Sequence, residues 1–256
     1  MLDPIALQIG SLSIRWYGVI IAVAFALGIG LAYRRAQQNQ IDPDHIINMV
    51  ILIIPAAIIG ARFYYVLFNW DIYRYLPMEA FAIQHGGLAI HGGLIGGFLA
   101  GLYYVRKYQL SPWQIADIAA PSVILGQAVG RWGNFINQEA HGGPVSQQFI
   151  SHFPVFIQNQ MLINGQYFHP TFLYESLWNL LVFIVLSIRW KHRKIAGEIG
   201  FLYLILYSVG RFFVEALRTD SLMLGPLKTA QGISLVLIII GVIGLYKLNQ
   251  ISKNST

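Results

Sequence analysis

The chain has 256 residues, of which 56% are hydrophobic and only 11% charged, with a formal net charge of +6. Soluble domains typically carry about 25% charged residues, so this chain cannot cover a globular surface with polar groups, and its solvent has to be lipid. The positive balance is assigned to lysines and arginines flanking membrane spans, not to nucleic acid, and the absence of cysteine excludes disulfides and thiolate metal sites.

Any thiol chemistry must therefore use a thiol on a substrate. Met1 to Gly10 carry Asp3 and no basic cluster, unlike a cleaved signal peptide, so the first span is expected to stay. Apolar runs of roughly the 20 residues needed to cross a bilayer predict about seven transmembrane helices in an all-α membrane protein. They lie near Ile14–Tyr33, Ile46–Phe68, Gly87–Val105, Ile115–Gly130, Thr171–Ile188, Gly200–Leu217 and Gly232–Leu248. The third is rich in glycine and the fourth is barely long enough. The whole chain, 1–256, is expected to form a single polytopic membrane domain.

Between spans four and five, residues 138–169 make the longest extramembrane piece, expected to be a small extracytoplasmic cap or flap. Gly142-Gly143-Pro144 and Asn164-Gly165 are turn signals within it, the latter between short apolar-aromatic runs that suit a hairpin. Arg34, Arg35, Arg106, Lys107, Arg189, Lys191, Arg193, Lys194, Lys247 and Lys253 all fall on one side of a seven-span arrangement. That side is predicted to be cytoplasmic, which puts the N-terminus outside and the C-terminus inside. Arg62, Arg131 and Arg211 are left at membrane depth or its edge.

An intramembrane charge calls for a partner or a task, and the stretch Gly130-Arg131-Trp132-Gly133-Asn134-Phe135-Ile136-Asn137-Gln138-Glu139 concentrates such groups. In span three, His91 sits among Gly86, Gly87, Gly92, Gly93, Gly96 and Gly97. The glycines suit close helix packing in lipid. His91 has two readings: an interhelical hydrogen bonder, or a proton acceptor near neutral pH.

In span six, Tyr207, Arg211 and Glu215 recur every four residues and share a helical face, which Arg218 extends outwards. An intrahelical Arg211–Glu215 pair explains how these charges are tolerated but not why they are present. Pro170 suits a helix start. Glu175 is either an interfacial carboxylate or a partner for Arg131 or Arg211. Asp117 is expected to cap a helix. Arg15-Trp16-Tyr17 forms an interfacial anchor from which Tyr17 can reach inwards. Two arginines suit a phosphate, whose oxygens match their forked donors. In lipid, that points to a phospholipid head group near the outer leaflet.

The stretch from Gly130 to Glu139 resembles the signature of the bacterial phosphatidylglycerol:prolipoprotein diacylglyceryl transferase family, Gly-Arg-x-Gly-Asn-Phe-x-Asn-x-Glu, continuing to a glycine that matches Gly142. Arg15-Trp16-Tyr17, the His91 to Gly97 run, His169-Pro170 through Glu175, and Tyr207 with Arg211 and Glu215 agree in order. The resemblance implies transfer of the sn-1,2-diacylglyceryl group from phosphatidylglycerol to the lipobox cysteine thiol of a prolipoprotein. A thioether forms and glycerol phosphate is released, the first step of lipoprotein maturation, at the bacterial cytoplasmic (inner) membrane.

By the same resemblance Arg131 and Arg211 hold the phosphate and His91 takes the thiol proton. Tyr207 belongs with these catalytic residues, while Tyr17, Asn134, Asn137, Glu139, Gly142 and Glu215 are expected to bind substrate or shape the site. The expected partners are the lipid, the signal peptide of the prolipoprotein and the bilayer, with no metal, cofactor or nucleic acid. A transporter or flippase is the main competing class. It predicts inverted repeats and polar groups at the midplane, whereas no repeat is found here and the polar residues gather outwards. An intramembrane protease is weaker still, for want of a nucleophile-like serine or a close aspartate pair.

Overall fold

The computed structural model describes residues 2–10, 12–225 and 227–254. It begins with a hairpin of β1 (Ile5–Ile9) and β2 (Leu12–Arg15), followed by α1 (Trp16–Gln38), α2 (Asp44–Phe68) and the single turn α3 (Trp70–Tyr73). Two 3₁₀ turns, Pro77–Phe81 and Ile83–His85, lead to α4 (Ile90–Lys107) and α5 (Pro112–Asn137). A small mixed region then holds β3 (Pro144–Val145), α6 (Gln147–Ile150), α7 (Val155–Gln160), β4 (Leu162–Ile163) and β5 (Gln166–Phe168). Last come α8 (Thr171–Trp190), α9 (Glu198–Leu217), the hairpin of β6 (Met223–Leu224) and β7 (Leu227–Lys228), and α10 (Thr229–Asn254).

Each of the seven expected spans therefore falls on a long helix. Five of these, α1, α2, α8, α9 and α10, are long and apolar enough to cross a membrane. Three boundaries differ for identifiable reasons. The first helix starts at Trp16 instead of Ile14, because Leu12–Arg15 pairs back onto Ile5–Ile9. The third starts at Ile90 instead of Gly87, because Gly86 and Gly87 sit at φ +83° and +73°, where a right-handed helix cannot pass. The fourth runs past Gly130 to Asn137. Arg131, Asn134 and Asn137 thus stand on a helix, and the chain turns away only where Gln138 and Ala140 adopt φ +53° and +55°.

The chain divides into two compact units, one of Ala32–Ile115 and one of Met1–Leu31 with Ala116–Thr256. In the first, α2 packs on α4 through small residues. A Cβ added at Gly92 would lie 2.3 Å from the Gly60 carbonyl, and one at Gly96 would lie 2.4 Å from that of Ala56. In lipid, such close backbone approach is what holds helices together.

In the second unit, Ala120, Ile124, Val182, Leu186 and Ile199 of α5, α8 and α9 form a buried core. The Asp117 carboxylate accepts from the backbone N–H groups of Gly197 and Gly200, each at 2.9 Å. Asp117 does cap a helix, but the helix is α9 and not its own, which begins at Pro112. The segment between α5 and α8 has its own core of Phe135, Ile150, Ile157, Met161 and Phe172, under a three-stranded sheet in the order β3-β5-β4. Its β4–β5 turn falls on Asn164 and Gly165, at φ +50° and +80°, the twin positive φ of a type I′ hairpin.

Candidate functional site

The last two turns of α5 carry Arg131 and Asn134 three residues apart, so both project from one face. Against them lies the first turn of α8, where Pro170 ends the preceding loop and frees Thr171 to start the helix. Glu175 is the residue on which the site closes. Its buried carboxylate pairs with Arg131 Nη2 at 2.6 Å and with Arg211 Nη1 at 3.2 Å. Arg211 in turn pairs through Nη2 with Glu215 at 2.6 Å, one turn along α9. The Tyr207 hydroxyl lies against the Arg131 guanidinium. Sequence reasoning left Glu175 open between an interfacial carboxylate and a partner for Arg131 or Arg211; it pairs with both.

Both guanidiniums keep a partly open edge, with side-chain exposures of 21% for Arg131 and 18% for Arg211, whereas Glu175 and Glu215 are only 3% exposed. The carboxylates are thus enclosed, while the two arginine side chains remain part-exposed. Such an arrangement can offer forked donors to an anion without leaving an uncompensated buried charge.

The surrounding signature residues divide by what they touch. Gly133 leaves room for the Tyr17 ring, whose Cδ2 would be 2.8 Å from an added Cβ. Tyr17 therefore lies against the signature helix while its side chain stays exposed. Asn134 donates to the Glu139 carboxylate at 2.9 Å, and the Glu139 N–H returns a bond to the Asn134 carbonyl at 3.0 Å. Asn137 is on the exposed side of the same helix end.

Gly142 donates to the His169 carbonyl, and Gly143 to that of Leu217, so this turn ties the end of α9 to the start of α8. An added Cβ at Gly142 would meet His169 Cβ at 2.7 Å and the Leu217 carbonyl at 3.0 Å. Gly142→Ala is expected to cost about 1–3 kcal/mol of stability. Thermal unfolding of the detergent-solubilised variant checks this, and an unchanged midpoint would remove the packing argument.

Arg218 does not extend the Tyr207–Arg211–Glu215 face. It is the residue after α9, its backbone is extended, and its guanidinium turns to Asp220 at 2.8 and 2.9 Å. That pairing holds the Asp220 carboxyl below its usual range. His169 bonds the Tyr174 hydroxyl at 3.2 Å, and burial pushes its imidazole below the ordinary value.

His91 belongs to the other compact unit. It occupies the first turn of α4, is exposed, and has its ring centroid 6.1 Å from that of Tyr64.

Sequence reasoning did not find two supports. Gln160, buried in the small region after α5, donates to the carbonyls of Phe135 and Ile136 at 3.3 and 2.9 Å and accepts from the Leu2 N–H at 2.8 Å. Lys228 donates to the carbonyls of Glu215, Ala216 and Arg218 and so closes the end of α9. Both act on backbone carbonyls, which leave no trace in a side-chain pattern.

Long apolar helices around a cluster of two arginines paired with two buried glutamates fit a membrane protein with a polar site between its helices. The sequence profile of the prolipoprotein diacylglyceryl transferases matches residues 4–247. A phosphatidylglycerol–prolipoprotein diacylglyceryl transferase of Clostridium novyi (strain NT) is 52% identical over 99% of both chains. One of the same description from Bacillus mycoides (strain KBAB4) is 53% identical over 94% of this chain and 90% of its own. The chain belongs to the prolipoprotein diacylglyceryl transferase family.

Proposed function

We propose that the protein transfers the sn-1,2-diacylglyceryl group of phosphatidylglycerol to the lipobox cysteine thiol of a prolipoprotein, in the bacterial cytoplasmic membrane. The observation that carries this reading is the pair of part-exposed arginines, Arg131 and Arg211, bridged by the buried Glu175. A phosphodiester is the lipid group that such a pair suits. The reaction forms a bond from the thiol sulfur to the glyceryl carbon and breaks the bond from that carbon to the phosphate oxygen. Glycerol phosphate leaves with the electron pair, and the thiol proton passes to a base.

In this reading the arginines stabilise the charge that gathers on the departing phosphate. Tyr207 and Glu215 hold Arg131 and Arg211 in place. Tyr17, Asn134, Asn137, Glu139 and Gly142 shape the end of α5 that the lipid head group meets. His91 is the base. A free thiol and a free imidazole differ by about two pKa units, a mismatch of about 2.7 kcal/mol, which any cation beside the thiol would lessen by favouring the thiolate.

Seven membrane crossings put the N-terminus outside and the basic loops inside. The segment 138–169 then lies over the outer face, where it meets the peptide, and the whole chain acts as one membrane domain.

Purified protein incubated with labelled phosphatidylglycerol and a lipobox peptide tests the reading. Thioether product supports it, and lipid movement without product favours a flippase. His91→Gln is expected to abolish most turnover while leaving protein levels unchanged; full activity in that variant removes His91 from the base role.

A further inference from the structure

Arg62 is a buried arginine that the proposed reaction does not use. Among the described residues it pairs with no carboxylate. Its hydrogen bonds all go to backbone carbonyls. Nε donates to Ala80 at 2.9 Å, Nη1 to Gly86 at 2.7 Å and Gly87 at 3.1 Å, and Nη2 to Glu79. The Tyr73 ring lies 5.2 Å from the guanidinium carbon.

A Cβ at Gly87 would sit 2.5 Å from Arg62 Nη1, and Gly86 and Gly87 both have positive φ. The two glycines therefore let the chain turn its carbonyls onto the guanidinium, a conformation that side-chain-bearing residues rarely take.

Three consecutive residues of α2 hold this segment. Arg62 holds Gly86 and Gly87. The Ala61 carbonyl accepts from the Ala89 N–H at 3.0 Å. Gly60 is packed so tightly on Gly92 that no Cβ fits between them. His91 lies between the second and third of these points. Its backbone is thereby fixed from both sides, while its ring is left exposed.

We propose that Arg62 is a positioning residue for the transfer reaction. By clamping residues 79–87 it sets where α4 begins and hence where the His91 imidazole is presented. The inference rests on the reading of His91 as base. Arg62 does not touch substrate. The clamp needs a planar fork with several donors in fixed directions, which lysine does not provide.

Kinetics and hydrogen exchange on the full-length purified protein test it. Arg62→Gln is expected to lower kcat roughly a hundredfold, the scale set by a 1 Å misplacement of a catalytic group, with KM for phosphatidylglycerol little changed. Amides from Glu79 to His91 exchange faster, while the interiors of α2 and α4 stay protected. Arg62→Lys recovers part of kcat.

Faster exchange with kcat intact overturns the inference, because the clamp is then irrelevant to the reaction. Loss of kcat with unchanged exchange also overturns it, since Arg62 then acts some other way. Loss of protection throughout α2 and α4 reduces Arg62 to a general structural role. His91→Gln is measured alongside. If that variant is fully active, the base reading has failed; if it is inactive while Arg62→Gln is active, only the positioning role has failed.

Discussion

Replacing Glu175 with glutamine is expected to lower both the stability and the activity of the protein more than any other isosteric change in the site. The carboxylate is buried between two guanidiniums, 2.6 Å from one and 3.2 Å from the other. An amide of the same shape removes the charge that both cations need, and it turns an N–H₂ group towards a guanidinium N–H donor. Breaking a buried ion pair from one side costs about 3–5 kcal/mol, and here one residue breaks two. Turnover should fall about a hundredfold, because the arginine forks lose their common reference point.

Thermal unfolding and the thioether assay check the two effects separately. Glu175→Asp, which keeps the charge but shortens the reach, should fall between wild type and Glu175→Gln. A variant with normal turnover and a lower KM for phosphatidylglycerol would show that the carboxylate competes with the lipid and does not position the arginines.

The two arginines are expected to fail in different ways. Arg211 has both arms committed, Nη1 to Glu175 and Nη2 to Glu215. Arg131 makes a single ion pair, with Glu175, beside the neutral Tyr207 hydroxyl. Arg211→Met therefore leaves two enclosed carboxylates undercompensated, and its main consequence should be a fall in melting temperature, at about 3–5 kcal/mol for a broken buried pair.

Arg131→Lys keeps a charge near Glu175 but offers a phosphate one point of contact instead of a fork. It should lose about 10²–10³-fold in kcat/KM with a small change in melting temperature. Melting curves and steady-state kinetics on both variants decide the matter. If Arg131→Lys is the unstable one and Arg211→Met the inactive one, the assignment of donor and scaffold is reversed.

Much of this architecture could be read before any coordinates, and the reasons are physical. Lipid punishes polar groups over about 20 residues at a time, so apolar runs located the long helices among the described residues, five of which are long and apolar enough to cross a membrane. The Asn164-Gly165 hairpin was legible because only a few residue pairs tolerate two positive φ angles in succession. Helical spacing allowed an Arg211–Glu215 pair but did not choose it over a partner on another helix; the two do pair.

The first hairpin was not legible. Leu12-Ser13-Ile14-Arg15 reads as the ramp of an apolar span, and nothing local reveals that it folds back onto Ile5–Ile9. Glu175 joins charges from three helices, and spacing rules see one helix at a time. Asp117 announced itself as a cap, but which helix it served depended on tertiary structure. Arg62, Gln160 and Lys228 hold backbone carbonyls, which every residue possesses and none advertises.

The Gln160 contacts also bear on how the protein is made. The last carbonyls of α5, at Phe135 and Ile136, accept from a side chain that follows them by 24 residues or more. At ordinary synthesis rates that is a delay of roughly 1–5 s. For that interval the carbonyls of Phe135 and Ile136 are without the Gln160 side chain that holds them. Completion of the signature helix is therefore tied to delivery of the segment after it, and a chain stalled before residue 160 carries the whole motif without its finished form.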